Sequence, residues 1–178
     1  MTLKLQFEPN QEHQKLAIDA LVDVFHGQQQ RAVNMAPVLG GEQVGALPGM
    51  ESSENGIGNW LYLTEEQLLS NVRAVQGRNS IADAGSGEPL HRWQINDPIL
   101  GEERECYQFT IEMETGTGKT YVFLRSIMEL AERFGYRKFV IVVPSIAIRE
   151  GALKSLAQLR DHLSSLYKTP MDYFVYDS

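Results

Sequence analysis

Between residues 113 and 120 the sequence reads Met-Glu-Thr-Gly-Thr-Gly-Lys-Thr, an order of residue types suited to holding a polyphosphate. Gly116 and Gly118 leave space for backbone N–H groups to turn inward onto phosphate oxygens, and Thr117 between them belongs to the same cradle. Lys119 supplies a positive charge that reaches the β and γ phosphates, and the Thr120 hydroxyl is a ligand for Mg²⁺. A helix that starts at Lys119 adds the partial positive charge of its N-terminus. Met113 stands where the strict pattern has its first glycine. That position ends the preceding strand and does not touch phosphate. The string is therefore read as a phosphate-binding (Walker A) loop for a nucleoside triphosphate. It does not by itself name a reaction, because kinases, transporters, GTPases and motors all use it.

Such a loop must be carried between a strand and a helix. Upstream, Tyr107, Phe109 and Ile111 alternate with Gln108, Thr110 and Glu112, the period of a strand. Downstream, Phe123, Ile127, Leu130 and Phe134 share one helical stripe that starts from Lys119 and stops at Gly135. Phe139 to Val143 is a continuous aliphatic run, as in a parallel strand covered on both faces, and ends at Pro144. A helix is expected from Ile146 to about Tyr167, and Asp172 to Tyr176 suits a third strand. Strand, helix, strand, helix, strand is the pattern of an α/β fold with a parallel sheet.

The first hundred residues are less regular. Asn10 reads as the cap of a helix with Ile18, Leu21, Val22 and Phe25 on one face, ending near Gly27. Thr64 and Gln67 form a capping-box pattern for a second helix that ends near Gly77, with Leu63 and Leu68 at staple positions. Gly27 to Gly58 contains seven glycines and two prolines without a period. A short strand around Trp93, Gln94 and Ile95 is the one element suggested between residues 77 and 101.

With 178 residues, 43% hydrophobic and 22% charged, the chain has the composition of a globular domain. Cys106 is its single cysteine, so no intramolecular disulfide exists, and the four histidines lack the spacing of a metal site. A reducing, cytoplasmic setting is the expectation, with no membrane association, since no apolar run is long enough to span one. The net charge of −7 is unevenly placed. Residues 1–100 carry 6 Lys/Arg against 12 Asp/Glu, and residues 121–170 carry 8 against 4. A polyanion would therefore meet the C-terminal third. His13, His26, His91 and His162 receive no role, nor do Glu112 and Glu114.

The segments Phe7-Glu8-Pro9-Asn10-Gln11-Glu12-His13-Gln14, Asn59-Trp60-Leu61, Asn71-Val72-Arg73-Ala74-Val75-Gln76, METGTGKTYVFLR and KFVIVVPSIAIREGALKSL together resemble the Res subunits of type III restriction endonucleases, within helicase superfamily two. The last two look like helicase motifs I and Ia, and methionine is tolerated at the place of Met113 in that superfamily. The resemblance implies a parallel-sheet P-loop NTPase, the first RecA-like helicase domain, here incomplete. Residues 1–178 would be its N-terminal part, with an irregular insertion at about 28–104. It implies ATP and Mg²⁺ as cofactors, and DNA and a methyltransferase (Mod) subunit as partners. By the same likeness Gln14 reads adenine, with Gln11 the second candidate. Ser145 and Arg149, in motif Ia, line the path of a DNA strand, or else serve as an N-cap and a surface arginine.

Hydrolysis in this superfamily also uses an Asp-Glu pair on a later strand and an arginine finger from a second motor domain. The present sequence shows neither, and turnover by this stretch alone is not expected. Two readings follow from the sequence: the ATP-binding front of a restriction subunit, or a truncated, non-catalytic interaction remnant. A small P-loop kinase is disfavoured, because nothing resembles a substrate lid.

Overall fold

The computed structural model describes residues 8–9, 11–30, 59–81, 90–96, 101 and 103–176. The chain divides into two compact units: residues 1–27 with 63–126, and residues 28–62 with 127–178. The division falls inside one helix, between Ser126 and Ile127.

In the first unit, α1 (Glu12–Asp23) starts one residue later than its sequence pattern suggests. Its cap is Gln11, which makes no side-chain capping bond, whereas Asn10 lies outside the described residues. Ile18 and Val22 are buried, as their spacing requires, and Gln14 joins them. The helix ends in a turn closed by Gly27 at φ +86°. There the side-chain amide of Asn71 donates to the carbonyls of Val24 (3.1 Å) and His26 (2.8 Å), satisfying groups the helix end leaves open. Asn71 belongs to α2 (Glu65–Arg78), whose capping box is complete. The Thr64 hydroxyl accepts from Gln67 N–H, and the Gln67 side chain accepts from Thr64 N–H. Arg78 pairs with Asp23 at 2.7 Å.

The unit's sheet is an antiparallel pair, β1 (Arg92–Asn96) and β2 (Glu103–Tyr107). Arg92 holds it to α2. Its guanidinium meets Glu105 across the strands at 2.7 Å, bonds Glu65 in the first turn of α2, and lies 5.3 Å from the centre of the Tyr107 ring. The hydrogen bonds to Glu105 and Glu65 raise its already high pKa further. Of the sequence expectations, the short strand at Trp93 is present. The alternating strand is displaced, because the ladder uses Glu103–Tyr107 and Phe109 and Ile111 beyond it are exposed. Alternation specifies which side chains share a face, but a strand also needs a neighbour to bond. Among the described residues the neighbour is Arg92–Asn96.

Helix α3 (Lys119–Phe134) follows the loop and stops at Gly135, φ +73°, as expected. Its deepest stripe is Tyr121, Leu124, Met128 and Ala131, while Phe123 and Ile127 of the anticipated stripe are half-buried. The apolar surface is wider than one stripe, so the sequence pattern did not select the most buried line.

In the second unit, α4 (Ile146–Leu166) is capped by Ser145, whose hydroxyl accepts from Ile148 N–H at 3.3 Å. Leu156, Leu159 and Leu163 are buried at helical spacing. Tyr167 donates to Glu129 at 2.6 Å. Phe139–Val143 and Asp172–Tyr176 form no ladder among the described residues. Val140 and Val142 are 89% and 87% exposed and Phe174 97%. Their composition is that of strands covered on both faces, and no described strand covers them.

Ser126 is 1% exposed and its hydroxyl has no hydrogen-bond partner among the described residues. A buried hydroxyl without a partner carries its desolvation cost uncompensated. Ser126→Ala is expected to raise stability by about 1 kcal/mol, read as a higher urea midpoint at unchanged slope. A lower midpoint contradicts the assignment.

Candidate nucleotide-binding site

The loop that leads into α3 is built on two glycines in the left-handed region, Gly116 at φ +86° and Gly118 at φ +88°. An L side chain at either position is strained. The Thr117 hydroxyl donates to the Glu114 carbonyl at 2.7 Å, closing the turn from within. Helical bonding begins at once, with Val122 N–H donating to Gly118 O at 3.0 Å. Lys119 and Thr120 therefore occupy the first turn of α3, where N–H groups lack intrahelical partners and an anion is favoured. Lys119 is exposed and makes no ion pair among the described residues. Thr120 is half-buried beside it.

Gln14 of α1 reaches this loop. Its amide donates to the Thr117 carbonyl at 2.9 Å, and the side chain is buried. A Cβ built on Gly118 would stand 2.5 Å from Gln14 Nε2, so a side chain there would displace the end of the Gln14 side chain in addition to straining the backbone. His13 Nε2 meets the same carbonyl at 3.2 Å. No sequence pattern assigns His13 a role. Its position beside Gln14 at the helix start was the available signal, and only the fold shows its target. On α3, Arg125 bonds the Pro9 carbonyl and lies 6.0 Å from the centre of the Tyr121 ring. The segment before α1 is thus fastened to the helix that follows the loop.

The residues fit a Mg²⁺-bound triphosphate. An open turn, with nothing within 4 Å of a Cβ on Gly116, adjoins a lysine that has no ion pair among the described residues and a hydroxyl at a helix N-terminus. Among the described residues no group of three or more His, Cys, Asp or Glu is placed to hold a metal by itself. The Mg²⁺ assigned to Thr120 would thus depend on the phosphates as co-ligands.

Ser145 and Arg149 lie in the second unit. The Ser145 hydroxyl is used as the α4 cap, and Arg149 meets Glu150 at 3.3 Å. Among the described residues no helix is long and apolar enough to cross a membrane.

Residues 62–170 match the family model described as type III restriction enzyme, res subunit. The chain belongs to this family. Membership brings a P-loop, helicase-like fold. The chain is similar to the EcoP15I Res subunit of Escherichia coli, 31% identical over 180 residues, covering all of this chain and 16% of the relative. It resembles the EcoPI Res subunit of Escherichia phage P1 at 28% over 183 residues, again covering the whole chain and 16% of the relative. To the StyLTI Res subunit of Salmonella typhimurium it is 48% identical over 106 residues, 58% of this chain and 10% of the relative. The chain thus spans about one sixth of the length of the first two. No solved structure matches.

Gly118→Ala is expected to cost about 1–3 kcal/mol, from the left-handed backbone and the displaced Gln14. In a Gln14→Ala background the contact part disappears, so the two substitutions couple by at least about 0.5 kcal/mol in a denaturant-measured double-mutant cycle. Strict additivity contradicts the contact.

Proposed function

We propose that residues 1–178 form the N-terminal, ATP-binding part of a Res subunit of a type III restriction-modification enzyme. In this reading the first RecA-like domain is built on a parallel sheet, with residues of about 28–104 as an irregular insertion. The observation that carries it is the loop at the N-terminus of α3, with Gly116 and Gly118 at positive φ and Lys119 without an ion pair among the described residues. Backbone N–H groups of residues 116–120 would hold the phosphate oxygens, Lys119 would meet the β and γ phosphates, and the Thr120 hydroxyl would hold Mg²⁺. The bound metal neutralises charge on the phosphates. Gln14, the residue assigned to adenine, retains its amide oxygen and one N–H for that contact, because one of its two N–H groups is given to Thr117. Gln11 remains the second candidate.

The named relatives are restriction-modification subunits. DNA and a methyltransferase subunit are accordingly the partners proposed for the whole protein, and DNA cleavage its activity. Ser145 and Arg149 at the start of α4 are the residues of this chain assigned to DNA, in a region with net positive charge. Phosphate binding, not turnover, is what the residues present here are assigned. The exposure of Val140, Val142 and Phe174 favours a second reading, a docking module without nucleotide.

Calorimetric titration of Mg-ATP into the chain and into Lys119→Ala separates the two. The account expects binding by the first and a loss of about tenfold to a hundredfold in the second, the range of a charge-assisted hydrogen bond. No binding by either would favour the docking module, and equal affinities would remove Lys119 from the phosphate site.

A further inference from the structure

His13 and Gln14 are adjacent on α1, and neighbours in a helix normally diverge. Here both meet one oxygen, the Thr117 carbonyl, at 3.2 and 2.9 Å. A carbonyl oxygen has two lone pairs, so two donors saturate it. Because it only accepts, His13 must donate from Nε2. The described chain has no cis peptide, and in a trans peptide the C=O and the following N–H point in opposite directions. A Thr117 carbonyl directed at α1 therefore turns the Gly118 N–H away from α1. Gly118 at φ +88° lacks the Cβ that would restrain this peptide plane on its C-terminal side, which leaves the Thr117 side, tied to the Glu114 carbonyl, and the two donors on the carbonyl itself to hold it.

We propose that His13 is a positioning residue for phosphate binding, locking the Thr117–Gly118 peptide in the orientation that presents the Gly118 N–H to an anion. This inference rests on the nucleotide-binding reading above and adds to it a residue that never touches the nucleotide. The effect is on the loop and is independent of the base. Gln14 shares the task through its N–H, while any contact of its oxygen with a base is a separate matter.

The test is titration of Mg-ATP and of Mg-tripolyphosphate, which has no base, into the chain, His13→Ala, His13→Gln and Lys119→Ala, with circular dichroism to establish that each is folded. His13→Ala should weaken both ligands by the same factor, about three- to tenfold, the range of one neutral hydrogen bond. His13→Gln, which keeps a neutral N–H donor, should restore most of it. A second readout needs no ligand: the ¹³C shift of the Thr117 carbonyl and the ¹⁵N shift of Gly118 should move in His13→Ala and return in His13→Gln. Unchanged affinity and unchanged shifts in His13→Ala, with Lys119→Ala still impaired, overturn the inference alone. Loss confined to ATP reassigns His13 to the base and overturns it as well. No binding of either ligand by the unsubstituted chain overturns the nucleotide reading and this inference together.

Discussion

The first unit is organised around one backbone carbonyl. Thr117 has to sit in a turn whose two flanking glycines give it little conformational restraint, and the turn must nonetheless hold one shape if its N–H groups are to face an anion. The Thr117 hydroxyl on the Glu114 carbonyl closes the turn from within, and further restraint comes from outside it, through the donors of His13 and Gln14. For those donors to arrive, α1 must be fixed. Burial of Ile18 and Val22, the Asn71 amide on the end of α1, and Arg125 on the Pro9 carbonyl fix it at both ends and along its face. The loop's geometry is in this sense a property of residues a hundred positions upstream.

The second unit solves a similar problem with carboxamides. Asn59 accepts from the N–H groups of Arg137 and Lys138 at 2.7 and 3.1 Å and donates to the Lys138 carbonyl. Gln30 donates to the Glu132 and Arg133 carbonyls at 2.7 and 2.8 Å, at the end of α3. Gln28 is buried, donates to Trp60 O and accepts from Tyr62 N–H, both at 2.9 Å. A carboxamide offers a donor and an acceptor together, so it can pair with backbone where no strand does. These bonds fasten the chain on either side of residues 31–58 to the end of α3 and to the turn that leads toward Phe139.

Local signals in the sequence were legible because the groups involved are few residues apart. The Thr64–Gln67 capping box, the Ser145 cap and the Gly135 stop each depend on contacts within a few residues, and each is present. The turn at Gly116 and Gly118 and the start of α3 at Lys119 were legible for the same reason. What depended on distant partners was not. The pairing of Glu103–Tyr107 with Arg92–Asn96, and the contacts of Arg92 with Glu65 and Glu105 beside it, join residues that no periodicity relates. The apolar run Phe139–Val143 shows a composition suited to a covered strand, but composition does not supply the strand that covers it. His13 carries no pattern in the sequence, because no carboxylate or cysteine is arranged with it as a nucleophilic or metal site. Its role comes from a carbonyl 104 positions away.

The central claim is that residues 114–120, held by α1, are where a nucleotide's phosphates bind. The most direct measurement is amide hydrogen exchange of the chain with and without Mg-ATP, resolved to single residues. The account predicts new protection at Gly116, Gly118, Lys119 and Thr120, extending no further than the first turn of α3 and the start of α1. Protection absent from these amides, or confined to the second unit, would contradict it.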